Sequence, residues 1–138
     1  MATYIMVKIG VVGYGYWGPN LVRNLSSTEN AELVYICDKS KERLELAKKD
    51  YPNIKNTSNF NKLINDKEVD AIVITTPPIT HFKLAKKALE KNKHILISKP
   101  ITTKTSDAEK LVKLAEEKNK VILTDSTFLY TSAINKIK

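Results

Sequence analysis

The 138-residue sequence predicts an α/β fold, a doubly wound and mostly parallel sheet with helices on both faces. Three observations predict it. Short apolar runs alternate with amphipathic segments along the chain; all four glycines fall between Gly10 and Gly18, at and just beyond the end of the first apolar run; and Asp38 closes the second run, twenty positions past Gly18. When each strand is followed by a helix, successive strands run parallel and the crossovers are right-handed.

The first strand is the apolar run Tyr4 to Val12, which leads into the glycines. Pro19, Leu21, Val22 and Leu25 then recur at helical spacing up to the polar turn SSTEN. AELVYICD is the second strand, ending at Asp38, and SKERLELAKKDY is the second helix, capped by Ser40. A short connection around Ile54 precedes SNFNKLINDK, a small helix with Phe60, Leu63 and Ile64 on one face. DAIVIT is continuously apolar, as expected for a strand covered on both faces, and Pro77 and Pro78 stop it. Thr80 is placed to cap the next helix, with Leu84, Ala85, Ala88 and Leu89 inward and Lys83, Lys86, Lys87 and Lys91 facing water. HILIS is a further strand. After KPITTKT, a capping box from Ser106 to Glu109 opens a helix with an Ala108, Leu111, Val112 and Ala115 stripe, and VILTD is the last strand.

Composition narrows the function. No apolar run approaches the about 20 residues that span a bilayer, so no membrane association is expected. The single cysteine, Cys37, excludes an intrachain disulfide and agrees with a reducing cytoplasm; inside an apolar run it reads as a buried, inert thiol. A net charge of +8 would suit an anionic partner. Its lysines, however, are spread over the outer faces of helices without interleaved aromatics, so no nucleic-acid binding is expected. No spacing of His, Cys and carboxylates suggests a metal site, and no GxSxG elbow is present.

Gly13, Gly15 and Gly18 match GxGxxG between a strand and a helix. In the dinucleotide-binding Rossmann turn the first glycine permits the tight bend, the second lets backbone approach a pyrophosphate, and the third allows helix and strand to pack closely. Asp38 supplies the companion carboxylate for an adenosine ribose. A carboxylate there repels a 2'-phosphate, so NAD is favoured, with NADP possible because Lys39, Lys41 and Arg43 lie close by. The competing reading makes the glycines a plain turn and Asp38 a helix cap. Tyr16 and Trp17 fill the variable positions, to pack beside the cofactor, against a second domain, or as surface-lying core edges.

A second constellation, TTPPITH and SKPITT, follows later strands, on the edge where open parallel sheets bind ligands. Together GYGYWGPNL, the Asp38 strand end, TTPPITHFKLAKKALEKNKHILISKP and TFLYTSAINKIK resemble the glucose-fructose oxidoreductase, inositol dehydrogenase and MocA family, most closely its nucleotide-sugar branch. The resemblance covers the amino-terminal, cofactor-binding half of a family member. It implies that Lys99, within the Ser98, Lys99, Pro100 stretch that matches the family's Glu-Lys-Pro, is the catalytic lysine that hydrogen-bonds the reacting hydroxyl. Pro100 shapes that loop, and Thr75, Thr76, Pro77 and His81 contact the nicotinamide side of the cofactor. His94, at the start of HILIS, reads as a structural histidine.

Two departures stand out. Ser98 replaces the signature glutamate, and Ser126 stands where the nucleotide-sugar branch often has histidine. The expected division is an NAD(P)-binding Rossmann domain over residues 1–126, with residues 127–138 beginning the connection to an absent carboxyl-terminal α+β substrate domain. The resemblance implies an oxidoreductase acting on a sugar or nucleotide-sugar, possible homo-oligomer contacts, and little turnover by this chain alone. The alternative is a non-catalytic dinucleotide-binding or regulatory module from a shortened gene.

Overall fold

The computed structural model describes residues 5–137. Six strands are described: β1 (Val7–Val12), β2 (Ala31–Cys37), β3 (Lys55–Thr57), β4 (Ala71–Ile74), β5 (His94–Ser98) and β6 (Ile122–Asp125). They form one sheet in the order β3-β2-β1-β4-β5-β6, every pairing parallel. The order reverses between β1 and β4. This is the doubly wound Rossmann arrangement, and the reversal opens a crevice at the carboxyl ends of those strands.

The helices are α1 (Gly18–Ser26), α2 (Lys41–Asp50), α3 (Phe60–Asn65), α4 (His81–Glu90), α5 (Thr105–Glu117) and α6 (Ser132–Ile137), with 3-10 turns at Pro78–Thr80 and Thr127–Tyr130. Two apolar layers flank the sheet. Val22 of α1 and Ala47 of α2 pack with Val11, Ile36 and Val73 on one face. Leu63, Ala85, Leu89, Leu111 and Ala115, from α3, α4 and α5, pack with Ile72, Ile74, Ile95 and Ile97 on the other. Successive residues of β4 alternate between the layers, which is why its sequence is apolar throughout. None of the described helices is long and apolar enough to cross a membrane.

Five local expectations come out differently. The connection after Ile54 contains β3, a polar edge strand whose Lys55, Asn56 and Thr57 pair with Tyr35, Ile36 and Cys37. The helix after KPITTKT begins at Thr105 with Lys104 as its cap, so Ser106 lies inside the first turn and forms no capping box. Val112 is exposed on that helix, and Leu114 packs against the core instead. Thr80 makes no cap bond; its hydroxyl pairs with that of Thr76 at 2.7 Å and donates to the Pro77 carbonyl at 2.7 Å. The first strand starts at Val7, behind exposed Ile5 and Met6, and the expected Tyr4 start lies outside the described residues.

Candidate functional site

The glycine turn is built by two kinds of constraint. Gly13 follows β1 with φ +99°, a conformation natural to glycine, and its amide donates to the Cys37 carbonyl at 2.8 Å. A Cβ there would meet the Thr75 carbonyl carbon at 2.9 Å, and one on Gly18 would collide with the Gly13 carbonyl. Thr75 locks the turn from β4, its hydroxyl lying 2.5 Å from the Gly13 oxygen and 3.1 Å from that of Val12. Gly15 differs. A Cβ on Gly15 would meet only the Arg43 guanidinium, at 3.3 Å, the far end of a flexible side chain. Packing within the chain therefore requires Gly13 and Gly18, whereas at Gly15 only the movable end of Arg43 stands close.

The space above Gly15 faces the start of α1, where Trp17 is the N-cap, no side chain caps the helix, and the first turn holds no acidic residue. In that turn Pro19 has no N–H and the Asn20 amide donates to the Trp17 carbonyl at 3.1 Å, which leaves the Gly18 amide to face an anion. The cradle above Gly15, bordered by the Arg43 guanidinium, together with the Gly18 amide fits the pyrophosphate of a dinucleotide.

Asp38 is buried beside this turn. One carboxylate oxygen accepts the Tyr14 amide at 2.7 Å and the other the Ser40 amide at 2.8 Å, so the side chain ties the glycine turn to the β2–α2 loop. Arg43 approaches to 3.6 Å from the solvent side. Ser40 caps α2 as expected, accepting from the Arg43 amide at 3.3 Å. Behind Asp38, burial and then the Asp38 charge push the Cys37 thiol up to about 11, in keeping with an inert core residue.

The two later loops meet at the crevice. His81 is fully buried, its Nε2 2.6 Å from the Thr76 carbonyl and its Nδ1 2.9 Å from that of Pro100. It thus fastens the β4 loop to the β5 loop, and neither ring nitrogen is turned to the crevice. Pro77, Lys99 and Pro100 are exposed, and the Lys99–Pro100 peptide is cis. Lys99 lines a cleft of about 320 Å³ with Ser126, Thr127, Leu129 and Ile134. Beside Lys99, the buried Ser98 hydroxyl has no hydrogen-bond partner among the described residues. His94, by contrast, accepts the Val121 amide at 3.0 Å through Nδ1 and serves the opposite edge of the sheet.

Tyr16 is almost wholly exposed, whereas Trp17 Nε1 donates to the Asp125 carboxylate at 3.0 Å. Asp125 is not among the residues that the sequence singles out. Its one signal was an acidic residue ending the last strand, as Asp38 ends the second.

Comparison with known proteins agrees with this geometry. Residues 7–126 match the family model described as "Oxidoreductase family, NAD-binding Rossmann fold". The chain is 37% identical over 105 residues to the "Uncharacterized oxidoreductase YdgJ" of Escherichia coli, covering 75% of this chain and 30% of that protein. It is 33% identical over 106 residues to the inositol 2-dehydrogenase of Salmonella typhimurium, covering 75% and 32%. The crystal structure of biliverdin reductase with biliverdin and NADP+ from Synechocystis superposes with a TM-score of 0.88 at 25% identity, over 95% of this chain and 41% of that one. The chain thus spans about a third of the length of the relatives it matches.

Proposed function

We propose a function from one premise: the chain belongs to the glucose-fructose oxidoreductase, inositol dehydrogenase and MocA family of oxidoreductases, and is its NAD(P)-binding Rossmann domain. In our reading it serves an enzyme that oxidises a sugar or nucleotide-sugar hydroxyl by hydride transfer to nicotinamide. The observation that carries this is the placement of Lys99, exposed in the cleft at the end of β5, on the same edge of the sheet as the glycine turn. An inositol dehydrogenase among the relatives supports a polyhydroxylated substrate.

Each residue has a role that its surroundings suit. The Gly18 amide and Gly15 hold the pyrophosphate, and Gly13 and Gly18 shape the backbone that presents them. Asp38 keeps unused lone pairs on oxygens already fixed by Tyr14 and Ser40, and these accept the ribose hydroxyls. The nicotinamide supplies the hydride acceptor. Lys99 hydrogen-bonds the hydroxyl being oxidised and eases departure of its proton, with Ser98, whose buried hydroxyl has no partner among the described residues, beside it at the end of β5. Thr75, Thr76 and Pro77 border the nicotinamide side. His81 sets the spacing of the two loops. NAD is preferred, since Asp38 opposes a 2'-phosphate, and Arg43 beside it softens the preference.

The 138 residues alone hold the cofactor without oxidising a sugar, because alignment of the carbinol with the nicotinamide supplies much of such a rate. Calorimetric titration with NAD and NADP tests the reading, with NAD binding the tighter. Asp38→Asn lowers NAD affinity, followed together with thermal stability because the Tyr14 and Ser40 amides share that carboxylate. No heat from either dinucleotide at millimolar concentration overturns the binding assignment. NADH production from any sugar by this chain overturns its inactivity.

A further inference from the structure

One hydrogen bond spans the crevice. Trp17 and Asp125, joined at 3.0 Å, are 108 residues apart in sequence. β6 lies three strands from β1, with β4 and β5 between them. At about 4.8 Å per strand those two ends of the sheet stand roughly 14 Å apart. The Trp17 side chain therefore extends toward β6 over the carboxyl ends of the intervening strands, where the Thr75–Pro77 and Ser98–Pro100 loops begin. It keeps 38% of its surface exposed, so it is not a core residue. Asp125 forms no ion pair among the described residues, and its neighbour Ser126 lines the same cleft as Lys99.

A dinucleotide with its pyrophosphate on the glycine turn and its adenosine at Asp38 directs its other half toward β4 and β5. The inference rests on that dinucleotide-binding reading. We propose that Trp17, oriented by Asp125, forms one wall of the nicotinamide subsite and lays its indole face against the nicotinamide ring, favouring the oxidised, positively charged form. A pyridinium ring against an indole face gains both stacking and cation–π attraction, and the neutral reduced ring keeps only the first. Asp125 is the positioning residue. By accepting from Nε1 it fixes the plane of the indole.

Trp17 is the only tryptophan of the chain, so its emission reads this contact directly. NAD+ and ADP-ribose, which lacks the nicotinamide, are titrated into the intact chain by calorimetry and by fluorescence excited where tyrosine is silent. The expected result is heat from both ligands, with quenching by NAD+ that saturates along its calorimetric isotherm and no quenching by ADP-ribose. Trp17→Leu weakens NAD+ about fivefold and leaves ADP-ribose unchanged. Asp125→Ala does the same, while Asp125→Asn, which keeps an acceptor for Nε1, retains most of the wild-type affinity.

Binding of NAD+ and ADP-ribose with neither quenching Trp17 overturns the proposal and leaves the dinucleotide site standing. Absence of heat from both ligands, in a chain shown folded by circular dichroism, removes the dinucleotide reading and this inference with it. If a variant fails to fold, the wild-type comparison of the two ligands decides alone.

Discussion

Lys93 and Lys99 bracket β5, and their ammonium groups meet opposite surroundings. Lys93, entering the strand, is buried, with Nζ 2.7 Å from the Asp66 carbonyl and 2.5 Å from that of Val69; burial pushes its pKa down. Lys99, leaving the strand, is exposed in the cleft. The same contrast runs along both edges of the sheet. At the amino edge, Asp66 accepts from the Tyr35 hydroxyl at 3.1 Å and the Glu68 amide at 2.9 Å, and Asp70 accepts the Lys8 amide at 2.8 Å, so polar groups close on one another. At the carboxyl edge the α1 start is uncapped and the Ser98 hydroxyl has no partner among the described residues. The amino edge is closed by its own side chains, and the carboxyl edge, alongside its Asp38, Thr75 and His81 bonds, keeps an α1 start that no side chain caps.

The contrast breaks most sharply at Gly18. Gly18→Ala drives a methyl group into the Gly13 carbonyl and should cost roughly 3 kcal/mol of unfolding free energy, read by urea denaturation. A smaller loss follows from Lys93→Ala, about 2 kcal/mol, because two buried carbonyls lose a charged donor. NAD affinity at the far edge should be unchanged, and a fall there would merge the two edges into one unit. Acid gives a gentler handle on the same edge. The Glu68 amide foremost, then the Tyr35 hydroxyl and the Lys55 and Lys93 charges, hold the Asp66 carboxyl below its ordinary range. Its contribution is present above the unfolded-state pKa and is lost as pH falls through the folded one. Thermal midpoints of Asp66→Asn should accordingly fall less with acidification than those of the wild type. The smallest effect on stability belongs to Gly15→Ala, within about 0.5 kcal/mol, since its Cβ meets only the Arg43 terminus. Yet calorimetry should show NAD affinity reduced at least about tenfold by the methyl group in the cradle. A Gly15→Ala chain that binds as well as the wild type would mean the backbone at Gly15 is not the binding surface.

Most of the fold was legible because a doubly wound sheet writes itself into local patterns. The apolar centres of DAIVIT and HILIS read as covered strands, and GxGxxG between a strand and a helix located the crevice. β3 escaped because Lys55, Asn56 and Thr57 are polar and form a strand only by pairing with β2. The misplaced start of α5 has a similar cause: Ser106 and Glu109 have the spacing of a capping box, but the helix already begins one residue earlier. At the site, residue types announced the glycine turn and the Asp38 carboxylate. They did not announce what the long-range partners do. His81 speaks to backbone carbonyls on two loops and Trp17 to a carboxylate at the other end of the chain, and such bonds leave no periodic trace.

Cys37 lies directly under the glycine turn, its carbonyl receiving the Gly13 amide at 2.8 Å, and its thiol is the only one in the chain. Because the thiolate is the reactive form, a buried thiol pushed to about 11 is chemically silent at neutral pH while β2 keeps its place. Alkylating reagents therefore label only those molecules in which this part of the sheet has transiently opened. The chain thereby carries its own clock for opening events at the cofactor edge, and a ligand that fastens the turn slows that clock in proportion to the open population it removes.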